Sequence, residues 1–259
     1  MRLGSVLVRH LLTSVTFFEG IACAGFGLLV LGFVGAPRAV GAYEEAKVEG
    51  GGSVHGTVTF AGSLPTLESR PVTRDPEACG KEPKVSDALL VSPSGKGVKN
   101  VVAFLEGVRQ GKPFSTVPAE LDQRGCWFVP HVVLVRAGQP FTLVNSDGVL
   151  HNFRTPGTGA NPAVNKAQPK FKKRLEIKID HPDIIPVNCD VHEWMHAVVV
   201  VMAHPYYALT DEHGAFALAE VPPGRYTLTL WHERLGKQTR DVVVTRGGEV
   251  KVAVELKGK

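Results

Sequence analysis

The chain has 259 residues, enough for one large domain or two small ones. Its 29 Lys and Arg against 25 Asp and Glu leave a formal charge of +4, too mild for a nucleic-acid binder. Gly 28 and Pro 18 argue against a helical bundle and for short strands and turns, while four cysteines, an even number, suggest two disulfides until their positions are weighed.

Residues 1–42 do not read as part of a globular fold. Arg2 and Arg9 give a basic start, Gly20 to Pro37 carry no charge, and Val40-Gly41-Ala42 supplies small residues of the kind that precede a cleavage point. This is the pattern of a secretory signal peptide. Two alternatives stay open: an uncleaved N-terminal anchor, since about 18 to 20 apolar residues suffice to span a bilayer, and a lipid anchor on Cys23. Each places the rest in the periplasm, outside the cell or on its surface, with the membrane touched only through the leader. Cys23 then belongs to the leader, and Cys79, Cys126 and Cys189 remain. In an oxidising compartment one pair closes, and the third thiol needs a reason to be there.

In chain order, Glu44 to Ser53 is a Gly-rich polar lead-in and Val54 to Phe60 alternates as a strand. Residues 61–96 carry Pro, Gly, Asp and Ser throughout and read as an extended loop with short strands. Val98 to Leu105 predicts a strand, as do Val129 to Val135 and Pro140 to Val144, with Ala137-Gly138 as a turn between them. Ile184 to Val187 and Ala197 to Met202 flank a short polar loop. Further on, Ala215 to Leu218, Val221 to Leu228, Val242 to Thr245 and Val250 to Leu256 are separated by turns. No window sustains helical periodicity, so the expected class is all-β, built from sandwiches.

Asp211, Gly214 and Phe216 spell D-x-x-G-x-F, and Pro222-Pro223-Gly224-Arg225-Tyr226 spells P-P-G-x-Y. Together they resemble the carboxypeptidase-regulatory, transthyretin-like β-sandwich. Gly56-Thr57-Val58 and Val102 to Gly107 fit that family's opening strands. The resemblance implies a split sandwich, with first strands and a long loop in 54–107 and the remainder in 206–259. Residues 108–205 would be inserted between them; a simple tandem arrangement stays open.

The inserted segment carries metal-ligand grammar. Cys189-Asp190-Val191-His192-Glu193-Trp194-Met195 places a thiolate, an imidazole and a thioether on one tight loop, and His151 arrives from a separate strand end. Sulfur donors hold Cu(I) and imidazole suits both oxidation states, the set a copper electron-transfer site needs. Phe128-Val129-Pro130, the glycine turn, Asn145 followed by His151-Asn152, and the C-x2-H-x2-M loop occur in the order of the cupredoxins, the Greek-key blue-copper fold. The short loop is most similar to that of amicyanin. The resemblance implies one type 1 copper ion, with His151, Cys189 and His192 as equatorial ligands and Met195 as axial ligand. It also implies that Asn152 ties the two ligand loops together and that Asn145 belongs to the surrounding shell. Trp194, inside the loop, either shields the metal, forms a docking surface or simply packs.

With Cys189 given to the metal, Cys79 and Cys126 are the natural disulfide. His192 and His196, four apart, could form a zinc pair on a helix, but Ala197 to Val201 reads as a strand. His196 is taken as an edge residue with an axial role left open, His131 as a packing residue, and His181, His204, His213 and His232 as exposed. The basic run Lys170 to Arg174 reads as a solvated strand edge, with steering of an acidic redox partner as the alternative. Paired His-x-His motifs of a multicopper oxidase and a second loop cysteine are lacking in the sequence. The expectation is a non-enzymatic electron carrier with redox protein partners such as a cytochrome or dehydrogenase, and no nucleic acid. The alternatives are copper binding and delivery without redox turnover, or a structural surface protein.

Overall fold

The computed structural model describes residues 42–64 and 66–258; except for Ala42, the expected leader lies outside the described residues. The main strands are β1 (Gly52–Ala61), β2 (Val102–Leu105), β3 (Glu120–Gln123), β4 (Phe128–Val129), β5 (Val132–Arg136), β6 (Pro140–Asn145), β7 (His151–Thr155) and β8 (Val164–Gln168). They continue with β9 (Arg174–Lys178), β10 (Asp183–Asn188), β11 (His196–Met202), β12 (Tyr207–Leu209), β13 (Ala215–Val221), β14 (Gly224–His232), β15 (Gly236–Val244) and β16 (Glu249–Lys257). Among the described residues the one α-helix, α1 (Pro76–Cys79), is a single turn, and no helix is long and apolar enough to cross a membrane.

Two sandwiches result. In the first, sheet β9-β6-β3-β4 faces sheet β8-β7-β10-β11-β5. Strand β6 shows why: Phe141, Leu143 and Asn145 point into the core while Pro140, Thr142 and Val144 point outward, the period-two pattern of a half-buried strand. In the second, sheet β12-β2-β14-β15 faces sheet β13-β1-β16. Strands β1 and β2 thus pair with strands from the C-terminal part, and β3 to β11 keep to their own two sheets.

Strand β11 joins the two bodies. Ala197, Val199 and Val201 enter the first core, whereas Val198, Val200 and Met202 pack with Val102 and Val132 in a separate cluster. Phe104 and Tyr207 of the second sandwich close around that cluster. Burial on both faces explains the unbroken apolar run of this strand.

The C-terminal motifs have local physical reasons. Asp211 Oδ1 accepts from the backbone N–H groups of His213 (2.9 Å) and Ala215 (2.8 Å), closing the turn before β13. Gly214 sits there at φ 78°, and a Cβ would meet the Val58 carbonyl oxygen at 2.1 Å, so only glycine fits. The Tyr226 hydroxyl donates to the Pro222 carbonyl at 2.9 Å, clamping the turn that leads into β14.

Some expectations are corrected. The strand foreseen over 98–105 is interrupted, because Asn100 adopts φ 64° and only Val102–Leu105 continues. The strand foreseen over 129–135 breaks at Pro130, which follows a cis peptide bond and has no N–H to give a ladder. His204 and His232, expected exposed, are buried: each Nδ1 accepts a backbone N–H two residues on, from Tyr206 and Arg234, so a neutral ring satisfies its own turn. The basic run Lys170 to Arg174 lies, as expected, at a strand edge: it spans the turn between edge strands β8 and β9 and ends on Arg174, the first residue of β9.

Candidate metal centre

Cys189 follows directly on β10, and residues 189–195 double back into β11. The Cys189 N–H donates to the Met195 carbonyl (3.2 Å) and the Met195 N–H to the His192 carbonyl (2.9 Å), so the turn closes on itself. His151 opens β7, and the antiparallel pairing of β7 with β10 brings it beside the turn. Three donor atoms thus converge, although His151 and Cys189 are separated by 38 positions in sequence. Cys189 Sγ lies 4.0 Å from His151 Nδ1 and 3.9 Å from His192 Nδ1, and the two Nδ1 atoms are 3.0 Å apart. Met195 is fully buried in the same core cluster.

That triangle fits a metal ion. With metal–sulfur and metal–nitrogen bonds of about 2.3 and 2.0 Å, three ligands around a metal stand roughly 3.5 to 3.7 Å apart, a range that the observed separations of 3.0 to 4.0 Å bracket. Both imidazoles are 0% exposed and Cys189 only 3%, so water does not compete for the donors. Cys189 is the free cysteine among the described residues, because Cys79 and Cys126 are bonded to each other.

Electrostatics favour a thiolate here. Burial alone would push the Cys189 thiol up. Contacts with the two imidazoles and hydrogen bonds from the backbone N–H groups of Asn152 and His192 outweigh burial and bring the thiol down to about 6. Asn152 also ties the ligand loops together: its Oδ1 accepts from the Asp190 N–H (2.6 Å) and its Nδ2 donates to Asp190 Oδ2 (3.0 Å). Asn145 supports the loop ahead of His151, donating to the Val149 (2.8 Å) and Gln168 (3.1 Å) carbonyls. Trp194 is buried and donates its indole N–H to the Cys126 carbonyl at 3.0 Å, so it packs inward. The His196 imidazole groups with Asp87 and His131 instead of with Cys189.

A family model described as polysaccharide lyase family 4, domain II, matches residues 183–252, from β10 into β16. No curated protein sequence matches. Among solved structures, similarity is found to a Cu-containing nitrite reductase from Thermus scotoductus SA-01, at 18% identity and TM-score 0.31, covering 35% of this chain and 24% of that one. A point mutant of amicyanin in the Cu(I) state is similar at 18% identity and TM-score 0.30, over 39% of this chain and 98% of that chain. A purple cupredoxin from Nitrosopumilus maritimus is similar at 17% identity and TM-score 0.27, over 32% and 98%. This chain spans about a quarter of the nitrite reductase.

Two functional residues were missed by the sequence reading. Asp147 places Oδ2 at 2.9 Å from His151 Nε2, and its carboxylate also accepts the N–H groups of Gly125 and Cys126. Asp75, just before α1, places Oδ2 at 3.0 Å from His192 Nε2. Each imidazole thus offers Nδ1 to the centre and gives Nε2–H to a carboxylate, which fixes tautomer and ring orientation. Burial pushes the Asp147 carboxyl up, but the His151 contact and the two backbone donors hold it below the usual carboxylate range. The Cys79–Cys126 disulfide completes the shell, with both sulfurs within 4.8 Å of a His192 ring nitrogen. It holds α1, and with it Asp75, against the ligand turn.

Proposed function

We propose that the chain is an exported single-electron carrier for one type 1 copper ion, which His151, Cys189, His192 and Met195 would hold. The convergence of a buried free thiol with two buried imidazole Nδ1 atoms carries this reading. Bound copper supplies the one-electron couple, for which thiolate and thioether suit Cu(I) and imidazole suits both states. The chain's own part is to hold these donors still. Strand β7, the turn after β10 and two carboxylates fix them, so little has to move when the charge changes.

Carriage is favoured over catalysis and over delivery by one feature. The four side chains are closed to solvent, leaving neither an open position for a substrate nor an exposed ligand from which an acceptor could strip copper. The disulfide accords with an oxidising compartment, periplasmic or extracellular, and with the leader pattern of residues 1–42. Partners would be other redox proteins, such as a cytochrome or a dehydrogenase. The second sandwich, with its Asp211 and Tyr226 turns, is read as a transthyretin-like scaffold for the copper body.

Film voltammetry of the copper-loaded protein tests the reading. One reversible one-electron wave, stable over repeated cycles, is expected. Irreversible waves, or copper surrendered to a mild chelator on the same time scale as cycling, would favour delivery and contradict carriage.

A further inference from the structure

Apart from the ligand turn, one cluster of donor atoms has unmet demands. His131, just before β5, is buried, and its Nδ1 has no hydrogen-bond partner; Asp87 Oδ1 is likewise buried and unpartnered. These two atoms face each other at 3.0 Å without the alignment of a hydrogen bond. His196 Nε2 stands 3.9 Å from the same Asp87 oxygen. His196 Nδ1 lies 3.2 Å from the Trp194 carbonyl, which can only accept, so the proton sits on Nδ1 and Nε2 presents a lone pair. Three acceptors therefore converge on one spot, all within 4.8 Å of one another. One proton cannot satisfy three acceptors, but a metal ion can.

We propose that Asp87, His131 and His196 form a second metal site, separate from Cys189, for a divalent cation that prefers nitrogen and oxygen donors, of the Zn(II) class. The geometry fits. Ligands about 2.0 to 2.1 Å from a tetrahedral centre stand roughly 3.3 Å apart, between the two distances observed. His131 repeats the arrangement of the first site, since its Nε2 contacts the Glu233 carboxylate while Nδ1 is offered inward. A cleft of about 240 Å³, with Ser86, Ala88, His196 and Glu233 among its lining residues, opens onto the His196 side of the cluster.

The ligands and the carboxylate behind His131 come from three parts of the chain. Asp87 sits on the long loop after β1, His131 and His196 belong to the first sandwich, and Glu233 lies in the turn between β14 and β15. A metal ion here ties the loop and, through Glu233, the second sandwich to the copper body.

Zn(II) alone is the probe, titrated calorimetrically into the copper-loaded full chain, with the metal content measured after gel filtration. One further equivalent of Zn(II) is expected. His196→Ala and Asp87→Ala, both at partly exposed positions, should lose it while keeping the copper spectrum of the wild type. Glu233→Gln should bind it roughly 10- to 100-fold more weakly. Cys189→Ser should still take up this equivalent, which separates the site from the copper reading. No uptake by the copper-loaded wild type, retention of full affinity in both alanine variants, or loss of uptake in Cys189→Ser overturns the proposal; the first result would leave a protonated His131 as the bridge between the two carboxylates.

Discussion

Replacing Asp147 by Asn changes the first site without touching a donor atom. The carboxylate serves three donors: Oδ1 accepts from the Gly125 N–H, and Oδ2 from the Cys126 N–H (2.8 Å) and His151 Nε2 (2.9 Å). An amide has one oxygen and one NH2 group. Placed to keep Cys126 and His151, it turns its NH2 toward the Gly125 N–H, donor against donor. Flipped, it keeps Gly125 and loses both others. The first orientation leaves one donor unmet at a position only 6% exposed, a loss of about 1 to 3 kcal/mol in stability. His151 also loses the anionic partner that fixes its ring, which at comparable sites weakens metal binding about 10- to 100-fold, each tenfold being about 1.4 kcal/mol. Competition with a Cu(I) chelator measures the affinity and urea unfolding of the metal-free chain the stability. Reduced stability with copper affinity within twofold of wild type would refute the orienting role and leave Asp147 a brace for the 124–126 turn.

Two further outcomes follow from the same shell and from the second sandwich. Converting both Cys79 and Cys126 to Ala opens a loop with a sequence separation of 47, which by chain entropy should cost about 4 kcal/mol in thermal unfolding. Because Asp75 is then no longer held on His192, copper affinity should fall as well; unchanged affinity contradicts the account of α1 as part of the site. Burial pushes the His232 imidazole down to about 4, with Glu233 opposing and His131 and Arg234 adding to it. An unfolded histidine titrates near 6.5, so the unfolded chain binds the proton first. Stability is then fully present above about pH 6.5 and is lost as the pH falls toward 4, by about 3 kcal/mol. Urea midpoints at neutral and acid pH should converge in His232→Phe; an equal acid loss in variant and wild type refutes this.

The proposed ligands are legible in the sequence where chemistry is local. Cys189, His192 and Met195 share one turn, and the strand signals on either side require them to converge. The all-β class was legible for a similar reason, since alternation in β6 and the glycine-bearing turn at Gly214 are short-range patterns. What stayed hidden depends on tertiary approach. Asp75 reaches His192 across a sequence separation of 117, carried there by a disulfide whose pairing could be guessed but whose place beside the imidazoles could not. Asp147 did leave a signal, a carboxylate four residues before His151. In sequence, however, Ser146 to Gly148 is equally an ordinary polar turn. His204 and His232 were misjudged because a histidine in a polar segment looks exposed; only the backbone N–H two residues on makes a neutral, buried ring acceptable.

The visible absorption spectrum of the Cu(II)-loaded protein, beside that of Cys189→Ser, tests the central claim most directly. The account predicts an intense band from thiolate-to-copper charge transfer in the wild type, lost in the variant. A colourless wild-type complex, or a band unaltered by Cys189→Ser, would contradict it.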